Sequence, residues 1–115
     1  MVNLLRHDNA SLPPVTLRVE RQGTSAEVAV AGELDLGSVP ELRACLLGLI
    51  TDGCDDLVVS LDGVEFCDSS ALGVFVGCHR RLGSTAGRFE LRRPPPAIRH
   101  LFAVSGLDQI LIVTD

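Results

Sequence analysis

Apolar and polar residues alternate from Val15 to Gln22 (V-T-L-R-V-E-R-Q), which puts Val15, Leu17 and Val19 on one side and predicts a half-buried strand. Gly23 turns the chain, and residues 27–31 (E-V-A-V-A) predict the second arm of a hairpin. Gly32-Glu33-Leu34-Asp35 interrupts the alternation and reads as a loop. The period then changes. Leu42, Cys45, Leu46, Leu49 and Ile50 fall at helical spacing, so residues 40–51 predict an amphipathic helix. Ser38 and Glu41 stand at capping-box spacing at its start, and Asp52-Gly53 ends it.

Residues 57–61 (L-V-V-S-L) form a nearly continuous apolar run, the pattern of a central strand covered on both faces. A helix is predicted over 69–82 with Gly83 as its stop, then an alternating strand over 88–92. Pro94-Pro95-Pro96 reads as a rigid connector into a short helix over 97–104, with Gly106 at its C-cap and a last strand over 110–113. The order β-β-α-β-α-β-α-β predicts an α/β domain: a mixed, mostly parallel sheet with helices packed against it. Residues 1–14 read as a flexible leader and 15–115 as one domain, which suits a 115-residue chain.

Composition narrows the function. The net charge is −5, every base is arginine, and aromatic residues make up 3% with no Trp or Tyr. Such a chain lacks both the basic field and the stacking platforms of a nucleic-acid binder. No window approaches the roughly 18 unbroken apolar residues of a membrane span. Cys45, Cys54, Cys67 and Cys78 are irregularly spaced, without C-x-x-C, and read as buried small hydrophobes; no metal or cofactor is expected.

The stretch F-C-D-S-S-A-L-G (66–73) carries the candidate chemistry. On a helical wheel, Ala71, Val74, Phe75, Cys78 and Leu82 gather on a core face. Ser69, Gly73, Val76 and Arg80 gather opposite, with Leu72 on the flank as a second exposed aliphatic. Asp68 before the helix is an ordinary N-cap, and capping alone accounts for D-S-S. A nucleophilic serine would need a base, yet there is no G-x-S-x-G elbow and no histidine on the Ser69 stripe. A phosphate-binding loop is excluded by the absence of G-x-x-x-x-G-K-[ST] and of any lysine. The chain is not expected to be an enzyme.

Three blocks, Gly32-Glu33-Leu34-Asp35, V-S-L-D-G-V-E-F-C-D-S-S-A-L-G and L-F-A-V-S-G-L-D-Q-I-L, stand in the order seen in STAS-domain anti-sigma factor antagonists of bacteria, and the chain resembles that family from Val15 to Thr114. At Ala71 the family usually carries Gly. The resemblance implies a cytoplasmic protein with a STAS-like fold that binds an anti-sigma factor which is also a serine kinase, with ATP held by the partner. It implies phosphorylation at Ser69, beside Asp68, that switches binding off, and a phosphatase that resets it. Glu33 and Asp35 would share the partner-binding surface with Asp68, Ser69, Leu72, Gly73, Val76 and Arg80. A STAS accessory or scaffold subunit without a switch, in a lipid-transport or signalling complex, is the alternative.

Overall fold

The computed structural model describes residues 15–115; the leader expected over 1–14 lies outside them. Strand β1 (Val15–Gln22) pairs antiparallel with β2 (Ser25–Leu34) through a two-residue turn, where Gly23 takes a φ of 63° that suits glycine. Helix α1 (Val39–Thr51), strand β3 (Asp56–Cys67), helix α2 (Ser69–Gly83), strand β4 (Arg88–Arg92) and helix α3 (Pro96–Ser105) follow. A 3₁₀ turn (Leu107–Gln109) leads into β5 (Ile112–Thr114). The sheet order is β1-β2-β3-β4-β5, antiparallel at the hairpin and parallel elsewhere.

The inward residues of the strands explain the single core. Val28, Leu57, Val59, Leu61, Phe89 and Leu91 meet Leu42 and Leu46 of α1, Val74, Phe75 and Cys78 of α2, and Ile98 and Phe102 of α3 in one buried cluster. Each such side chain contributes about 1.5–3 kcal/mol by leaving water. Phe75 and Phe89 stack at a tilt with ring centroids 6.2 Å apart, which ties α2 to β4.

The opposite face of the sheet departs from expectation. L-V-V-S-L is not covered on both sides, because the other face carries Arg18, Glu20, Glu27, Asp62, Arg88 and Arg92 rather than helices. Val58 faces this side and is only half-buried. Glu90 sits among those charges yet is only 6% exposed, since the side chains of its neighbours close over it. It accepts hydrogen bonds from Thr114 Oγ1 (2.6 Å), Arg88 Nη2 (2.9 Å) and Arg92 Nε (3.0 Å). The outer face of the parallel strands, which would otherwise need a second helical layer, is thereby covered in part by a polar network.

Other boundaries differ for local reasons. Gly32, Glu33 and Leu34 belong to β2 and not to a loop: the alternation breaks there because β2 and β3 shift register between Ala29 and Ala31 and again between Gly32 and Glu33. At that bulge a Cβ on Gly63 would meet Ala31 Cβ at 2.9 Å, so the strands approach as closely as they do only because Gly63 has none. The expected capping box does not form. Ser38 is turned back, donating to the Glu33 carbonyl (2.7 Å) and accepting from the Asp35 amide (3.1 Å). The last strand begins at Ile112 and not at Ile110, because the Ile110 N–H first closes the 3₁₀ turn by donating to Leu107 O (3.0 Å).

Candidate functional site at the start of helix α2

Strand β3 ends at Cys67, and Asp68 leaves it with an extended backbone (φ −108°, ψ −178°), the geometry of a helix N-cap. Its amide donates to the Leu34 carbonyl (3.0 Å), which moors the end of β3 to the end of β2. Its Oδ1 accepts from the Ser70 amide (2.9 Å) and also from the Ser70 hydroxyl. The carboxyl is held below the usual carboxylate range, first by the Ser70 hydroxyl and then, against some desolvation, by the amides of Ser70, Ala71 and Leu36. Asp68 therefore stays ionised at neutral pH and fastens the loop after β2 to the first turn of α2.

The two serines are consequently unlike. Ser70 is half-buried and its hydroxyl is committed to Asp68. Ser69 is exposed, and among the described residues its hydroxyl makes no hydrogen bond. A hydroxyl that the fold does not use stands at the positive end of a 15-residue helix.

The wheel assigned the inner face of α2 correctly: Ala71, Val74, Phe75, Cys78 and Leu82 are all buried. Ala71, where glycine is usual, is fully enclosed. Outward, Ser69, Gly73 and Arg80 are exposed and Val76 is half-buried. Leu72 is not an exposed aliphatic; it is 7% exposed, because a flank position is decided by what stands beside the helix, which a wheel does not contain. A Cβ on Gly73 would meet nothing within 4 Å, so packing inside this chain does not require glycine there.

Glu33 and Asp35 are brought to the same end of the sheet but differ in use. Glu33 is exposed and lies opposite Phe66 across β2 and β3. Asp35 is half-buried and its Oδ1 accepts from the Gly37 and Ser38 amides, both at 3.0 Å, so it builds the entry to α1. Two apolar residues missed in the sequence are exposed on the segments leading to this end of the sheet: Leu36 is 76% exposed and Phe66, which also borders a cleft against α3, 49%. Leu36 follows the G-E-L-D block outside any hydrophobic period, and Phe66 falls after the β-bulge shifts the alternation, so neither registered in a periodicity reading.

The remaining candidates resolve plainly. All four cysteines are free; Cys54, Cys67 and Cys78 are buried and Cys45 is half-buried. Burial pushes the Cys67 and Cys78 thiols up to about 11, in Cys78 despite the guanidiniums of Arg81 and Arg43 nearby. No group of three or more His, Cys, Asp or Glu could hold a metal ion among the described residues, and no helix there is long and apolar enough to cross a membrane. His100 and Arg99 lie on the exposed side of α3, where Arg99 pairs with Asp115.

A mixed five-stranded sheet opened by a hairpin, with three helices and an acid-capped helix after its central strand, is the architecture of a STAS domain. Comparison with known proteins bears this out, residues 17–114 matching the family model described as "Mlab, STAS domain". The chain is 36% identical to the anti-sigma-B factor antagonist of Staphylococcus aureus over 77% of its own length and 82% of that protein's. It is similar to a crystal structure of an anti-sigma factor antagonist from Mycobacterium paratuberculosis (TM-score 0.80, 30% identity, 90% and 89% of the two chains). It is also similar to the Bacillus cell fate determinant SpoIIAA solved in a phosphorylated form (TM-score 0.69, 28% identity, 87% and 92% of the two chains). The chain belongs to the STAS-domain anti-sigma factor antagonist family, whose members are regulators and not enzymes.

Proposed function

We propose that this chain is a partner switch controlled at Ser69. Unmodified, it binds an anti-sigma factor that is also a serine kinase, and so frees a sigma factor. The kinase moves the γ-phosphoryl group of its ATP onto Ser69 Oγ; ADP leaves, and a base on the kinase takes the hydroxyl proton. Glu33, Ser69, Gly73, Val76 and Arg80, with Leu36 and Phe66, form the surface that the partner covers. Asp68 and Leu72 hold its shape from beneath.

The observation that carries this reading is the difference between adjacent serines: Ser70 is tied to Asp68, while Ser69 is exposed and unengaged. Phosphate adds about −1.5 to −2 charges. Beside the N-terminal amides of α2 the fold accommodates that charge, whereas a partner surface packed on Leu36 and Phe66 would have to desolvate it. The switch acts on binding and not on folding. The relative SpoIIAA, whose phosphorylated form is known as a structure, gives the chemistry a precedent.

The test is incubation of the parent, Ser69→Ala and Ser70→Ala with the cognate kinase and ATP, read by intact mass. Transfer to the parent and to Ser70→Ala but not to Ser69→Ala is expected. The alternative is a STAS accessory or scaffold subunit without a switch, and on that reading no form of the chain accepts phosphate.

A further inference from the structure

Beside the Ser69 stripe, α1 and α2 leave a groove of ≈ 230 Å³ lined by Arg43, Leu47, Gly73, Val74, Gly77 and Arg81. Its floor is apolar, from Leu47 and Val74, and its two banks carry the exposed guanidiniums of Arg43 and Arg81. Arg80 adds a third charge on α2 one residue away. Five arginines of the chain, Arg21, Arg88, Arg92, Arg93 and Arg99, are paired with carboxylates. Arg18, Arg43, Arg80 and Arg81 make no ion pair among the described residues; Arg18 stands on the outer face of the sheet, and the other three lie on α1 and α2. In a chain of net charge −5, a cationic rim left unpaired around an apolar floor is a local inversion of the protein's field.

We infer that this groove receives an acidic amphipathic helix of the same partner that covers Ser69, an inference that rests on the binding role proposed above. Ser69, Gly73 and Gly77 follow at i, i+4 and i+8, so one partner helix laid along α2 passes over all three within about 12 Å. The space above both glycines is empty, and a Cβ on either would meet nothing within 4 Å. The partner's backbone can therefore come closer than the usual 8–10 Å between helix axes. Its apolar side chains enter the groove over Leu47 and Val74, while its carboxylates meet Arg43 and Arg81. The same arrangement gives the switch its sign. A helix selected for negative charge by the arginines at one end of α2 is repelled at the other when Ser69 carries phosphate.

The test uses the unphosphorylated full chain and its purified cognate anti-sigma factor. The double variant Arg43→Glu/Arg81→Glu is expected to lose affinity by about tenfold or more and to invert the salt dependence, from binding weakened by salt to binding helped by it. Arg43→Lys/Arg81→Lys keeps the charge and should stay within about threefold of the parent. Gly77→Leu, placed where there is room, should fold as the parent does and weaken binding by about tenfold. Unchanged affinity and salt dependence in the reversal variant overturn the inference. So does a reversal-sensitive self-association by sedimentation with partner binding unchanged, which would make the occupant a second copy of this chain. The two readings fail separately: loss of binding on Ser69 phosphorylation with no effect of charge reversal removes the groove and keeps the switch. The opposite pair of results removes the switch and keeps the groove.

Discussion

The outer face of the sheet and the outer face of α2 are both open to solvent, yet they treat polar groups in opposite ways. On the sheet, Glu90 is enclosed by Arg88, Arg92 and Thr114, Arg92 also reaches Glu27, and Arg93 lies between Asp62 and Ser60. On α2, the Ser69 hydroxyl, Arg80 and Arg81 have no such partners among the described residues, and the segments that reach its first turn expose Leu36 and Phe66. Charges that close on one another hold a surface together. Groups left unengaged at a fixed geometry are available to something else, and the second region, where the Ser69 hydroxyl, Arg80 and Arg81 stand on one helix, has the character of a binding face.

If that division is right, substitutions should separate folding from binding by region. The largest effect belongs to the element both regions share. Phe75 lies under α2 and packs on Phe89 of β4, so Phe75→Ala should remove about 3–5 kcal/mol of stability and lower binding only through the unfolded fraction. Chemical denaturation followed by titration of the folded material separates the two.

Next comes Glu90→Gln, which discharges the centre of the sheet network. It should lower stability by about 1–3 kcal/mol and leave affinity for the partner unchanged. The parent should show the matching pH dependence. The Glu90 carboxyl is held low, first by the Thr114 hydroxyl and then, against desolvation, by Arg92 and Arg88. A depressed folded-state pKa stabilises above the unfolded value near 4.5, and that contribution disappears as the pH falls through the lower folded-state value. Melting temperatures of parent and Glu90→Gln should therefore converge on acidification below that range, and a constant gap would contradict the assignment.

The smallest effects fall on α2. Ser69→Asp should stay within about 1 kcal/mol of the parent in stability, since its charge meets the positive end of the helix, while partner affinity drops. Gly73→Ala should stabilise the isolated chain by up to about 1 kcal/mol, because the glycine is mid-helix in open space, and should weaken binding. A variant more stable and equally able to bind would blur the contrast between the faces.

The parts of this arrangement that sequence made visible are those that depend on local period. The alternation of β1, the inner stripe of α2 and the Asp68 cap needed only neighbours along the chain, and they stand where the pattern put them except at Val19, which is 44% exposed because the hairpin runs past the helices that cover Val15. What escaped depends on contacts between distant segments. The enclosure of Glu90 needs Thr114 from the next strand, and the turn of Ser38 needs the Glu33 carbonyl, reached only once the β2–β3 register has shifted. L-V-V-S-L read as a doubly covered strand because Val58, half-buried on the polar face, looks in sequence like any core valine. At the candidate site, Ser69 was legible from the wheel, but its distinction from Ser70 was not, because both precede the same apolar helix and only geometry shows which hydroxyl Asp68 takes.

The most direct test of the central claim is the affinity of the chain for its anti-sigma factor before and after stoichiometric phosphorylation of Ser69, measured by calorimetry beside the melting temperature of each form. The account predicts that phosphate reduces affinity by at least about tenfold while stability moves by no more than about 1 kcal/mol. Equal affinities for the two forms, or a phosphorylated chain that binds poorly only because it has unfolded, would contradict it.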